Sequence, residues 1–178
     1  MDENLNKYEI LKDDSNTERF CGFNVHRIRA LVDIKNEKGL VIVKKGDLGG
    51  FVEDYHNLSQ KGSSWIFDDA IVCNQAYLGD DARIFDEVVM SQHSSAIGSS
   101  KLYGETCLCG SIEVKDKEIW VPIQISSYEM LEQVLRIQNQ EPMQLQDSNL
   151  KSKIRSDEKE VDVKENLKIY HCSPHFLK

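Results

Sequence analysis

From residue 66 onward, apolar side chains return every sixth position, not every second as in a plain strand or at about 3.6 as in a helix. Ile66, Val72, Leu78, Ile84, Met90, Ala96, Leu102 and Leu108 form one such register. Four positions after each stand Ala70, Ala76, Ala82, Val88, Ser94, Ser100, Thr106 and Ile112, which are mostly small or β-branched. Two positions after each stand Asp68, Asn74, Asp80, Asp86, Gln92, Gly98, Gly104 and Gly110, mostly turn formers. Three registers locked to one period of six predict short strands alternating with sharp corners. Three such sides close a coil of eighteen residues whose aliphatic residues stack inward. The predicted fold is all-β: a left-handed parallel β-helix, or hexapeptide-repeat solenoid.

The flanks follow other periods. Residues 1–47 read as an N-terminal β cap, with a short strand from Tyr8 to Leu11 and a third strand from Leu40 to Val43. Between them, Asn24 to Ile34 alternates, with His26, Ile28, Ala30, Val32 and Ile34 on one face. The run Gly46 to Phe51, with Gly49 and Gly50, predicts a tight turn into the first coil. The coils are assigned to residues 48–114. Leu48 and Val52 fit the register and Asp54 and Gln60 do not, so the first coil is irregular. The open ends of such a stack need covering, and the cap is placed to cover one.

After Glu113 the register fails. Residues 115–141 read as an extended apolar segment, Ile119 to Ile123, followed by a helix. Ser126 and Glu129 offer a capping box. Met130, Leu131, Val134, Leu135 and Ile137 lie on its buried side, and Pro142 falls just past its end. Residues 142–178 are polar and mixed in charge, a tail expected to be partly disordered or to dock.

Charge narrows the function. The chain has 178 residues and a formal net charge of −8, which disfavours a duplex nucleic-acid surface built on clustered Lys and Arg. Its start is polar and acidic, unlike a secretory signal, and no apolar run is long enough to span a membrane. Five cysteines without framework spacing read as reduced thiols. Together these predict a cytoplasmic protein.

Several motifs carry a resemblance. Arg27-Ile28-Arg29-Ala30-Leu31-Val32-Asp33 is followed by Lys45-Gly46-Asp47-Leu48-Gly49-Gly50-Phe51-Val52-Glu53. Asn57-Leu58-Ser59-Gln60 and Ser64-Trp65-Ile66-Phe67-Asp68-Asp69-Ala70 come next. In this order, over about residues 7–112, they resemble YdcK-type proteins of bacteria, phages and prophages, often described as hexapeptide-repeat transferases. The resemblance implies a left-handed β-helix, and trimers are common among such folds. It implies no activity, since that description itself rests on fold analogy. The sequence also departs from the acyltransferase repeat, in which Gly, Ala or an acid usually follows the inward aliphatic. Here that position holds Phe67, Cys73, Gly79, Phe85, Ser91, Ile97, Tyr103 and Cys109.

Stacking every eighteenth residue sorts the outward positions into three walls. The first carries Trp65 and Phe67, Arg83 and Phe85, then Lys101 and Tyr103. Coils about 4.8 Å apart would bring Trp65 within cation–π range of Arg83. Aromatic faces interleaved with cations suit a nucleotide-like anion, with Trp65, Arg83, Phe85, Lys101 and Tyr103 as candidate ligand contacts. The competing reading is an aromatic ladder that stabilises the solenoid. The second wall carries Ile71, Cys73, Val89, Ser91, Cys107 and Cys109; being small and apolar, it predicts a subunit contact or the dock for the helix. The third carries Tyr77, Gly79, Ser95 and Ile97. An acidic edge of Asp68, Asp69, Asp86, Glu87 and Glu105 could hold a hard cation, but corners favour Asp in any case.

Hexapeptide acyltransferases use a corner histidine as general base facing a coenzyme A groove between subunits. The resemblance therefore makes His93, at a corner between Gln92 and Ser94, the candidate catalytic base, with His56 as second choice. His171, Cys172 and His175 supply three close donors without a fourth, and no metal site is assigned. The leading expectation is a non-catalytic binding protein of phage or prophage type without cofactor. It would be a homo-oligomer, a trimer being favoured, that sequesters a small anionic ligand or blocks a host defence protein. The alternatives are an acyltransferase using coenzyme A with His93, and a structural assembly module.

Overall fold

The computed structural model describes residues 6–140. Six cap strands come first: β1 (Tyr8–Ile10), β2 (Thr17–Phe20), β3 (Phe23–Ala30), β4 (Ile34–Lys35), β5 (Val41–Val43) and β6 (Leu48–Val52). Short strands then follow coil by coil. They are β7 (Trp65–Ile66), β8 (Ile71–Val72) and β9 (Tyr77–Leu78); β10 (Arg83–Ile84), β11 (Val89–Met90) and β12 (Ser95–Ile97); β13 (Lys101–Leu102), β14 (Cys107–Leu108) and β15 (Glu113–Lys115); and β16 (Glu118–Ile119) with β17 (Gln124–Ile125). One helix, α1 (Tyr128–Gln140), ends the described chain.

Parallel pairing stacks the coils into a β-helix. The first wall is β7-β10-β13-β16 and the third is β9-β12-β15. The second, β8-β11-β14-β17, continues through β6 into the antiparallel strands β3 and β1. The cap is thus a direct extension of one wall.

The six-residue registers map onto this stack. All eight aliphatics from Ile66 to Leu108 have no exposed surface, and Ala70, Ala76, Ala82, Val88, Ser94, Ser100 and Thr106 are equally buried. Each removes apolar surface from water, at about 25 cal/mol per Å². The buried hydroxyls are satisfied: Ser94 Oγ lies 2.8 Å from the Ser91 carbonyl and 3.1 Å from that of Leu108, and Ser100 and Thr106 repeat the arrangement. Every predicted turn former has a left-handed backbone, from Asp68 at φ 52° to Gly110 at φ 84°. Asp and Asn tolerate that region better than most residues, which explains their use at the corners.

The first coil departs from the predicted register. Val52 pairs with Val72 and Leu58 bridges Leu78, so these two point inward, while Leu48 is 56% exposed. Two extra residues between Leu58 and Ile66 displace the count. Asn57 holds this coil, accepting the N–H groups of Glu53 and Asp54 and donating to the carbonyls of Asn74 and Ala76. Gly49 and Gly50 lie inside β6 rather than in a turn. A Cβ on Gly50 would meet the Ala70 carbonyl oxygen at 2.3 Å, so close backbone packing, not turning, requires glycine there.

At the other end the stacking runs past Glu113. Val114 stacks beneath Ala96, Ile119 beneath Leu102 and Ile125 beneath Leu108. The step from Val114 to Ile119 is one residue short, and the period is lost there although the coil is not. Helix α1 covers this end: Leu131 and Val134 join the core cluster that holds Ile119, Val121 and Ile125. It therefore caps the stack instead of docking on the second wall. Its first turn is held by Ser127, whose Oγ accepts the Met130 N–H, one residue later than the predicted cap, and Ile137 is exposed. Pro142, the tail and the His171, Cys172 and His175 group lie outside the described residues.

Candidate functional site

The first wall presents two columns. In one, Trp65, Arg83, Lys101 and Glu118 are successive cross-strand partners. In the other, Phe67, Phe85 and Tyr103 stack with ring centroids 4.7 Å apart and planes within 9° of parallel. The spacing is that of the coils themselves, so the backbone repeat imposes the ring stack.

Two candidate contacts have no face to offer a ligand. Trp65 is 1% exposed, because the cap folds over it and Tyr8 meets its ring edge-on at 6.4 Å. Phe85 has Phe67 on one face and Tyr103 on the other. A base therefore has no room to stack on Trp65 or Phe85: the ring ladder accounts for Phe85, and packing under the cap for Trp65. The cation–π contact expected between Trp65 and Arg83 is replaced by another elsewhere. Arg27 lies over Phe51 at 4.1 Å while donating to the carbonyls of Gly49 and Asp68 and pairing with Asp69.

Arg83 and Lys101 instead face a groove of about 380 Å³ beside the corner between the third and first walls. Ser63, Asp81, Ser99, Asp116, Lys117 and Glu118 line it from successive coils, and Asn36, Glu37 and Lys38 overhang it from the β4–β5 turn. Sequence periodicity signals the coil residues but not the turn, which a distant hairpin supplies.

The groove holds four cationic and four anionic side chains, yet they are not equivalent. Asp81 accepts from both N–H and Oγ of Ser63, at 3.0 and 2.8 Å, and these bonds hold its carboxyl below the usual range. Asp116 is lowered likewise by the N–H and hydroxyl of Ser99. The Tyr103 phenol is pushed up to about 12, first by burial and then by the nearby Glu118 carboxylate. Asp81 and Asp116 are thus committed. Among the described residues, the ion pairs are Arg27–Asp69 and Arg29–Glu9, neither in the groove. Arg83 donates through Nη2 to Ser63 Oγ at 3.2 Å, but its Nε–H is buried without a partner. An unmet buried donor costs about 1–3 kcal/mol, so a ligand acceptor there has a ready role.

The remaining candidates are dispersed. His93 stands exposed on the corner between the second and third walls, away from the groove. His56 is also exposed, with Nε2 2.6 Å from the Asn74 carbonyl. On the second wall, Ile71 and Cys73 are buried against Phe20, Val25 and Phe51 of the cap, and Cys109 is buried beside Gln124. These three cannot meet a partner, because the chain itself covers them; Val89, Ser91 and Cys107 remain partly exposed. The acidic edge is structural in part: Asp68 accepts the Asp86 N–H and Asp86 that of Gly104. Among the described residues no group of three or more His, Cys, Asp or Glu side chains is arranged to hold a metal. No helix among them is long and apolar enough to cross a membrane. No family model matches the chain, and no curated protein matches it.

Proposed function

We propose that this is a non-catalytic binding protein that takes a small anionic ligand in the groove beside Arg83 and Lys101. One observation carries the reading: Asp81 and Asp116 are engaged in hydrogen bonds with Ser63 and Ser99, while no cation of the groove is in an ion pair among the described residues, and Arg83 Nε–H has no protein acceptor. Charge-assisted hydrogen bonds to an oxyanion would use that unspent capacity. The wall is a rigid stack of coils, so little side-chain ordering remains to be done on binding. The anion is held by donors rather than by stacking, because Trp65 and Phe85 are covered. Lys101 lines the groove with Arg83, whereas Tyr103 stacks on Phe85 in the other column and does not line it.

The acyltransferase alternative draws less support. A general base must reach the proton it removes, and no histidine lines the groove. By its resemblance to YdcK-type proteins the setting would be a phage or prophage, where such a protein could sequester a nucleotide-like signal used in host defence. The partly exposed strip of Val89, Ser91 and Cys107 favours self-association as a second property, with a trimer as the expected form.

Thermal-shift screening against phosphate, nucleotides and coenzyme A tests this reading. Anions should raise the melting temperature, and Arg83→Ala should abolish the rise without lowering the ligand-free value by more than a degree or two. A flat response to every anion would overturn it.

A further inference from the structure

We propose that the groove recognises a diphosphate group, two phosphoryl units joined by one bridging oxygen, rather than a single phosphate or a longer chain; this rests on the anion-binding reading. The argument is the order of charges down the first wall. Arg83 pairs with Trp65 above it and Lys101 below it, and Lys101 pairs in turn with Glu118. Parallel strands are about 4.8 Å apart, so the column offers two cationic rungs one strand spacing apart, closed at both ends.

The upper end is closed by burial. Trp65 has no accessible face, so the column offers a phosphoryl group no donor above Arg83. The lower end is closed by charge. Glu118 occupies the third rung of the column, so a third phosphoryl group would meet a carboxylate there. The outer oxygens of two linked phosphoryl units span a distance comparable to one rung. One unit meets the Arg83 guanidinium, which also donates through Nη2 to Ser63, and the other meets Lys101.

Calorimetric titration of the full chain with inorganic phosphate, pyrophosphate and tripolyphosphate tests this. One added charge-assisted contact corresponds to about a tenfold gain in affinity. Pyrophosphate should therefore bind about tenfold more tightly than phosphate, and tripolyphosphate no more tightly than pyrophosphate. Lys101→Ala should erase the gain of pyrophosphate over phosphate, and Glu118→Gln should let tripolyphosphate overtake pyrophosphate. A nucleoside diphosphate tighter than pyrophosphate would make the source an organic diphosphate, and the reverse order the free ion; both agree with the proposal. Equal affinities for all three chain lengths, or a steady rise through tripolyphosphate in the unmodified protein, would overturn it while leaving anion binding intact. Binding of none of them would overturn the anion reading as well.

Discussion

The carboxylate of Asp86 accepts the backbone N–H of Gly104 at 2.8 Å, from one coil to the next. Asp86 also has a left-handed backbone, φ 56°. Alanine there would lose the inter-coil bond and strain the corner, costing about 1–2 kcal/mol. Asparagine keeps an acceptor and tolerates the backbone. Chemical denaturation should therefore rank the unmodified protein at or above Asp86→Asn, and both above Asp86→Ala. If alanine were neutral, the acidic edge would be mere solvated surface.

The core stack makes a stronger demand. Ile84 is fully buried between Ile66 and Leu102. Ile84→Val should cost about 0.5–1.5 kcal/mol as a lost methylene. Ile84→Asp buries an unpaired charge and should remove the cooperative thermal transition. Circular dichroism melts distinguish the two, and an unaltered melt of the aspartate variant would contradict the register.

How much of this was readable in advance depends on what the period records. Eight aliphatics and their turn formers repeat with few exceptions between Ile66 and Gly110, so wall, core and corner positions could be read directly. The period breaks where the spacing changes: the step from Leu58 to Ile66 is eight and that from Val114 to Ile119 is five. The repeat puts Trp65 and Ile71 on the outside of their coils, yet both are buried, because covering by the cap is a tertiary event that no period encodes. Arg83 and Lys101 were visible as neighbours. The groove around them was not, since Asn36 and Lys38 reach it from a hairpin nearly fifty residues earlier.

The seam between cap and coils should respond to alkali. Lys7 Nζ donates to the Ser64 carbonyl at 2.9 Å and to its hydroxyl at 3.1 Å, and burial lowers its pKa from 10.5 to about 8, partly offset by Asp81. Between those values the unfolded chain holds more protons than the folded one, so this residue makes stability rise with pH from about 8 to 10.5. Tyr8 works the other way above its ordinary value of 10.0, because burial first, then nearby Tyr55 and Asp54, raise its folded pKa. The Lys7 gain should be clearest between pH 8 and 10, measured as the difference between the unmodified protein and Lys7→Met. Parallel stability curves for the two would refute this assignment.

The second wall separates two kinds of substitution. Val89→Arg and Cys107→Arg fall on its partly exposed part and should reduce the mass seen by light scattering if self-association uses this strip. Ile71→Arg falls under the cap, against Phe51 and Cys73, and should lower the melting temperature instead. Oligomers unchanged in both exposed-site variants would move the contact to another wall.

Arg83 Nε–H gives the most direct test of the binding account, since it has no protein acceptor and its guanidinium lines the groove. Its resonance can be followed in a ¹H–¹⁵N spectrum during titration with phosphate and pyrophosphate. The account predicts that this resonance shifts more than those of Arg27 and Arg29, and that its exchange with water slows as the donor is engaged. An Arg83 Nε–H signal that stays fixed at saturating anion, or moves no further than the other two, would contradict it.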